Sequence, residues 1–246
     1  MKILALEFSS PQRSVAVVCS ARRDELHESH SAPASGGTDI RVTRLSEDLV
    51  SEVIETSPGN TIKPLSMVAE ALKKAGLDRE QIECLAIGLG PGSYTGIRVA
   101  IALAQGWQLA RGVKLLGVSS AECIAAQAQA DGFNGKACVV IDAQRDELYV
   151  AGYEIGPAKC HEVSPLRLAM MTEMRDREQE GETLIGPEAT RWFPGGRVIC
   201  PRADTLGRLA VARRDFVAGE KLEPIYLREA RFVKASPPRF PPGEPA

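Results

Sequence analysis

One short pattern occurs twice in this chain, once in each half. In the first half an apolar run ends at Glu7, a polar turn follows, and a second apolar run begins at Val15. In the second half the matching run ends at Asp142, and its second run contains Val150. In both copies the valine lies eight positions after the carboxylate. Because internal similarity indicates repeated architecture, the sequence predicts a duplicated β-hairpin that opens each of two domains.

Between the two hairpins, helical and strand patterns alternate. Apolar residues recur at helical spacing over 62–75, where Pro64 suits the first turn and Gly76 suits a left-handed C-terminal cap. The next elements are a buried strand at 82–88, an apolar helix at 97–110, a strand at 113–118 and an alanine-rich helix at 119–130. The order strand, helix, strand implies a parallel crossover, so we predict an α/β fold.

The second copy is weaker than the first. Its predicted elements after the hairpin are a charged helix near 165–180, strands near Leu184 and Val198, and a helix near 204–214. We therefore expect an N-terminal lobe at 1–131 and a reduced C-terminal lobe at 132–235. Residues 236–246 contain too much proline to extend any element and are predicted to form a disordered tail.

Residues 31–59 interrupt the first lobe and are interpreted as an insertion. They are rich in Ser, Gly, Thr and charge, which is typical of a surface loop. Val42, Leu45, Leu49 and Val53 recur at helical spacing and predict a short helix within the loop. Since the cost of closing a loop depends weakly on its length, we expect the insertion to be dispensable for folding.

Composition excludes several classes of protein. Of the 246 residues, 44% are hydrophobic and 25% are charged, which is typical of a globular chain. No early apolar run is long enough for a membrane span, and Glu7 interrupts the region where a signal peptide would be apolar, so we expect a cytoplasmic protein. A formal charge of -2 argues against a binder of nucleic acid by bulk electrostatics.

The most distinctive motif is a glycine-rich stretch from Gly88 to Arg98, which joins a strand to a helix. This setting can present backbone N–H groups to an anion, with Gly90, Gly92, Ser93 and Thr95 as the candidate ligands. The stretch has neither a P-loop lysine nor the GxGxxG spacing. The glycines are explained equally by a tight turn and close packing of helix on sheet, with Ser93 or Thr95 capping the helix.

The sequence offers few sets of residues that could act together in catalysis. Glu7 and Asp142 are the pair of carboxylates that the repeat brings to matching strand ends, as in actin-like kinases, but the turns that follow them contain no glycine to approach a phosphate. An ATP-dependent kinase is therefore the weaker alternative. A peptidase lacks a nucleophile with a nearby base, because adjacent residues such as Cys160 and His161 point apart in a strand. No CxxC or HxxxH spacing occurs, so no metal site is predicted.

The sequence resembles the TsaB (YeaZ) family. The resemblance is carried by residues 4–18, 75–98, 117–120 and 141–143 and by Tyr226-Leu227-Arg228-Glu229, with the glycine-rich stretch as its most specific part. It implies a duplicated, RNase H-like fold of the actin/Hsp70/sugar-kinase superfamily with two lobes. It also implies a non-catalytic subunit that binds and activates a TsaD-like transferase.

The resemblance further implies the reaction and the partners. The TsaD-like subunit, with a TsaE-like ATPase, transfers a threonylcarbamoyl group to N6 of adenosine 37 in tRNAs that read codons beginning with A. This chain would meet tRNA only through the complex and form a homodimer when alone. No cofactor of its own is expected, and a nucleotide at the partner interface is left open.

Three residues depart from the family pattern. Members usually have Asp where Glu7 stands, and a His-Ser pair where Asn60 and Thr61 align.

The helix at 97–110 is apolar nearly all round, although packing on a sheet needs one apolar stripe, so its other side must be covered. By resemblance the first two helices build a four-helix contact with the partner or a second copy. The residues expected to line it are Leu65, Val68, Ile97, Ile101 and Gln105.

Overall fold

The computed structural model describes residues 1–19, 48–56 and 63–227, and within them the chain forms two five-stranded mixed sheets. The strands of the first sheet are β1 (Lys2–Glu7), β2 (Gln12–Cys19), β3 (Asp48–Thr56), β4 (Cys84–Gly88) and β5 (Lys114–Val118). They lie in the order β3-β2-β1-β4-β5. The central strand β1 is antiparallel to β2 and parallel to β4.

The second sheet repeats the first. Its strands are β6 (Gly135–Asp142), β7 (Glu147–Ile155), β8 (Cys160–Met170), β9 (Leu184–Gly186) and β10 (Arg197–Val198). They lie in the order β10-β9-β6-β7-β8, with β6 antiparallel to β7 and parallel to β9. Strands β6 to β10 occupy the places that β1 to β5 hold in the first sheet, in the same sequence order. The predicted duplication is therefore confirmed.

The helices follow the same repeat. They are α1 (Pro64–Ala75), α2 (Tyr94–Arg111), α3 (Ser120–Ala130), α4 (Met171–Gln179), α5 (Ala189–Trp192) and α6 (Ala203–Val211). In the second copy α5 has 4 residues where α2 has 18, and β10 has 2 residues where β5 has 5. The second lobe is therefore reduced, as the sequence predicted.

Helices cover both faces of the first sheet. Leu4 and Leu6 of β1 pack with α1 and α2 on one face, while Ile3 and Ala5 pack with α6 on the other. Because a central strand is covered on both sides, β1 is a nearly continuous apolar run rather than an alternating one.

The two lobes exchange their third helices. Ile124 of α3 belongs to the core of the second sheet, whereas Leu206 of α6 belongs to the core of the first. The N–H of Ala203 at the start of α6 donates to the hydroxyl of Ser14 on β2 at 2.7 Å. In space, each lobe is thus completed by a helix from the other half of the chain, and the lobe bounds 1–131 and 132–235 stay a prediction.

The first helix forms where the pattern predicted it. Pro64 occupies the first turn, and Gly76 ends the helix in the left-handed region at φ 64°. The N–H of Gly76 donates to Lys73 O and the N–H of Leu77 to Leu72 O, which satisfies two carbonyls of the last turn. Glycine makes this cap because it has no Cβ to strain at positive φ.

Two sequence expectations are wrong. Residues 48–56 of the expected insertion form strand β3, in which Ser51 and Val53 are buried, rather than a surface loop or a helix. Residues 160–170 form strand β8, so the charged helix expected from 165 begins only at Met171. The remainder of 31–59, including Val42 and Leu45, lies outside the described residues, as does the tail 236–246.

Candidate functional site

Glu7 ends β1 in a fully buried position. Its carboxylate accepts hydrogen bonds from the backbone N–H of Ser9 at 2.8 Å and from the hydroxyl of Ser120 at 3.1 Å. Gly88 on the neighbouring strand β4 provides the space, because a Cβ at this position would overlap the carboxylate. Burial raises the pKa of Glu7, and the hydrogen bonds from Ser9 and Ser120 lower it in part.

Asp142, the matching residue of the second lobe, accepts hydrogen bonds from the turn that follows β6. One carboxylate oxygen accepts from the backbone N–H of Gln144 at 2.7 Å and the other from the Gln144 side chain at 2.9 Å. The residues Gln144, Arg145 and Asp146 all lie in the left-handed region, with φ between 59° and 63°. Each of the two strand-end carboxylates therefore binds the turn that follows its own strand.

The glycine-rich loop, residues 88–96, is held by hydrogen bonds to neighbouring elements. The N–H of Gly90 donates to the Ser120 hydroxyl at 3.1 Å, and Gly90 O accepts from the N–H of Ser120 at 2.8 Å. The N–H of Ser93 donates to Ser9 O at 2.7 Å. Two of the backbone donors that could cradle an anion are thus already engaged by the protein itself.

Close packing explains two of the glycines in this loop. A Cβ at Gly92, where φ is +145°, would collide with Ser9 O, and a Cβ at Gly96 would collide with Phe8 O. Ser93 caps α2 by accepting from the N–H of Gly96 at 3.3 Å. Of the anion ligands suggested by sequence, Gly90 is hydrogen-bonded to Ser120, Gly92 packs against Ser9 and Ser93 caps the helix. These contacts favour the packing interpretation of the motif.

The structure separates the residues expected at the partner surface. Ile97 and Ile101 are 0% and 6% exposed and belong to the core under α1 and α2, so the expectation that their side chains line an outer surface is wrong. Val68 is 5% exposed and belongs to the same core, but it also lines a groove beside α1. Gln105 donates from its side chain to Gly219 O at 2.8 Å. Leu65 is 68% exposed and is the member of the set that presents an apolar side chain outward.

A C-terminal strap, residues 217–227, covers one side of α2. It starts at β5, where the N–H of Val217 donates to Leu115 O, and it inserts Leu222 into the first core. The N–H of Gly219 donates to the Gln108 side chain at 2.7 Å. The helix was expected to need a cover on its outer side, and part of that cover is this segment.

An apolar groove separates α1 from the C-terminal half of α2. The apolar residues that line it are Leu65, Val68, Ala69, Leu72, Leu77, Trp107 and Ala110. Charged residues of both signs also line it, namely Lys73, Asp78, Arg79, Glu80 and Arg111. Its chemistry suits an amphipathic helix rather than a small polar ligand.

Sequence reasoning missed a cluster at the start of α2. The rings of Tyr94 and Tyr226 stack with centroids 5.9 Å apart, and the guanidinium of Arg98 lies 4.3 Å from the centroid of Tyr94. Arg98 Nε also donates to the Tyr226 hydroxyl at 3.3 Å. Tyr226 was within the motifs that carry the family resemblance, but its distance from Tyr94 in the chain gave no signal that the two meet.

Cys160 and His161 do not form a nucleophile and base. His161 pairs with Glu154 at 3.5 Å, and burial raises the pKa of the Cys160 thiol, which disfavours the reactive thiolate.

Among the residues described, no group of three His, Cys, Asp or Glu side chains could hold a metal ion. In the same part of the chain, no helix is long and apolar enough to cross a membrane.

Comparison with known proteins agrees with this architecture. Residues 61–187 match the family model described as TsaD, tRNA N6-adenosine threonylcarbamoyltransferase. A solved Pseudomonas aeruginosa structure described as YeaZ aligns over 92% of this chain and 100% of its own, with a TM-score of 0.66 and 23% identity. Another from that organism, described as similar to peptidase YeaZ, aligns over 92% and 99%, with a TM-score of 0.68 and 24% identity.

Curated relatives give the sequence evidence. The Escherichia coli K12 tRNA threonylcarbamoyladenosine biosynthesis protein TsaB is 30% identical over 69% of this chain and 80% of its own length. The Haemophilus influenzae protein of the same name is 33% identical over 73% and 84%.

The duplicated sheets and their helices define a two-lobed α/β protein in which the second lobe is a reduced copy of the first, the fold also seen in the YeaZ structure. Within that class the chain belongs to the TsaB (YeaZ) family.

Proposed function

We propose that this chain is a non-catalytic subunit that binds and activates a TsaD-type transferase. The reaction would be N6-threonylcarbamoylation of adenosine 37 in tRNAs that read codons beginning with A. The observation that carries the proposal is the similarity, over most of the chain, to relatives named for threonylcarbamoyladenosine biosynthesis. A TsaE-like ATPase would complete the assembly, and tRNA would be met through the complex.

The non-catalytic role is supported by the state of the groups that a kinase would use. Glu7 is buried and hydrogen-bonded to Ser9 and Ser120, so it does not face an open cleft as a metal ligand or base would. In the glycine-rich loop the N–H groups of Gly90 and Ser93 are already bonded within the protein. A triphosphate would have to displace these contacts.

The docking surface is the groove between α1 and α2. The contact set is Leu65 and Val68 with Ala69, Trp107 and Ala110, which all line the groove. Ile97 and Ile101 are buried and do not belong to it. Helices from a partner could lie in this groove and form the four-helix contact that the family resemblance implies. With no partner present, a second copy would occupy the same groove and give a homodimer. A cytoplasmic location, without a cofactor of the chain's own, completes the proposal.

Leu65→Glu tests this surface. Because Leu65 is 68% exposed, the variant should fold normally, while a carboxylate in a desolvated contact should weaken association by tenfold or more. The matched control is Val198→Glu, an exposed aliphatic residue of the second sheet at 57%. Sedimentation measures self-association, titration with the purified TsaD-type subunit measures binding, and reconstitution with the TsaE-type ATPase measures modified tRNA.

The two variants should differ in all three measurements. A folded Leu65→Glu variant that self-associates, binds the transferase subunit and supports modification as well as Val198→Glu would place the interface elsewhere. A wild-type chain with no effect on the transferase would overturn the proposed function itself.

A further inference from the structure

Three exposed side chains meet where α2 begins. Tyr94 is 58% exposed and Tyr226 is 43% exposed, although their rings stack on each other. Arg98, one helical turn after Tyr94, lies over its ring and bonds the Tyr226 hydroxyl. The two stacked rings therefore form a small aromatic patch at the surface, and aromatic residues are enriched where proteins bind one another.

The cluster fixes the guanidinium of Arg98 in one orientation. Its central carbon lies over the Tyr94 ring and its Nε donates to the Tyr226 hydroxyl, which leaves the two terminal nitrogens. Among the described residues neither of these nitrogens has a hydrogen-bond partner. A guanidinium fork that is already ordered loses little entropy on binding and matches the two oxygens of a carboxylate.

The geometry points to a protein-binding anchor: we propose that Tyr94, Arg98 and Tyr226 form a binding hot spot for a carboxylate side chain on the transferase subunit. The inference rests on the proposed function and adds the C-terminal strap to the docking surface. Tyrosine and arginine are among the residues most enriched in protein hot spots, where an aromatic surface excludes water from a charged pair.

The local charge favours a protein carboxylate over RNA phosphate. Binding to RNA gains its affinity from several cations that each replace counterions. Along the first two turns of α2, residues 94–101, Arg98 is the single cation, and the strap carries Glu220 and Glu223 against Lys221. One ordered guanidinium between tyrosines suits one carboxylate in a mostly apolar contact.

Affinity measurements on the full chain and the purified TsaD-type subunit test the anchor. Arg98→Gln should weaken binding at least tenfold, and Arg98→Lys should restore little of it, since an ammonium cannot pair with both oxygens. Tyr226→Phe keeps the stacking and removes the hydroxyl that orients Arg98, so a loss of a few fold is expected. Lys136→Gln, an exposed cation of the second sheet, is the control and should bind as the wild type does.

A double-variant cycle separates the anchor from a general loss of charge. If Tyr226 acts by orienting Arg98, Tyr226→Phe should have little further effect in the Arg98→Gln background. Wild-type affinity in Arg98→Gln, when Leu65→Glu abolishes binding, would overturn the anchor and leave the proposed function intact. An Arg98→Gln complex that forms normally but binds tRNA more weakly would also overturn it, by assigning the cluster to RNA.

Discussion

The Ser120 hydroxyl donates a hydrogen bond to the Glu7 carboxylate at 3.1 Å, across the junction between β1 and the start of α3. The same oxygen accepts from the N–H of Gly90 at 3.1 Å. One side chain therefore ties the buried strand-end carboxylate to the glycine-rich loop. In this chain the groups at the first strand end are used to hold the loop in place.

Glu7→Gln should change how stability depends on pH. Burial raises the pKa of Glu7 above its ordinary value of 4.5, so the folded protein holds this proton more tightly than the unfolded chain does. The wild type therefore loses free energy of unfolding as pH rises from about 4.5 through the folded pKa, and the variant lacks this loss. We expect the difference, variant minus wild type, to grow with increasing pH.

Urea denaturation of both proteins at pH values from about 5 to 8 measures this difference. Asp142→Asn, at the matching strand end, controls for the removal of a negative charge. A difference for Glu7→Gln that stays flat or falls with pH would contradict the raised pKa.

Gly96→Ala should destabilise the protein, whereas Gly106→Ala in the same helix should not. A Cβ at Gly96 would collide with Phe8 O, and a Cβ at Gly106 would meet no atom within 4 Å. Overpacking at Gly96 should lower the free energy of unfolding by about 1–3 kcal/mol. Alanine at Gly106 should add about 0.5–1 kcal/mol by its better helix propensity. Thermal or urea unfolding of the two variants compares them, and equal effects would refute the packing role of Gly96.

Val53→Ala should show that β3 belongs to the core. Val53 is 8% exposed and packs in the first core, while its neighbour Ile54 is 45% exposed. Removing two buried methyl groups should cost about 1–3 kcal/mol, and Ile54→Ala should cost clearly less. If both variants unfold at the same denaturant concentration as the wild type, β3 does not stabilise the domain.

The repeated hairpin and the helix caps were predictable because their signals are local. Pro64 marks the start of α1 and Gly76 marks its end. Both act through the backbone conformation of their own position, which depends on few neighbours. The strand β3 was missed because Leu49 and Val53, four residues apart, fit a helical stripe as well as a strand. Pairing with β2 decides between the two, and that pairing is not visible in the segment itself.

The prediction of the residues at the partner surface was wrong for a related reason. The apolar residues around α2 do not all face one sheet, and a segment more than a hundred residues later in the chain uses Gln105 and Gln108 as contacts. Long-range contacts of this kind leave no periodic signal. The cluster of Tyr94 with Tyr226 was missed on the same grounds.

The isolated chain should not turn over ATP. The carboxylate of Glu7 is bonded within the protein, and the turns after Glu7 and Asp142 contain no glycine that would let the backbone approach a phosphate. Phosphate release by purified protein is the measurement. Activity clearly above background that is lost in Glu7→Gln or Asp142→Asn would favour a kinase instead.

The amount of N6-threonylcarbamoyladenosine in tRNA from cells depleted of this protein tests the proposed role in tRNA modification most directly. Mass spectrometry of digested tRNA should show the modified nucleoside falling as the protein is lost. Re-expression of the wild type or of Val198→Glu should restore it, and Leu65→Glu should restore much less. Unchanged levels of the nucleoside in depleted cells would contradict the proposed role in tRNA modification.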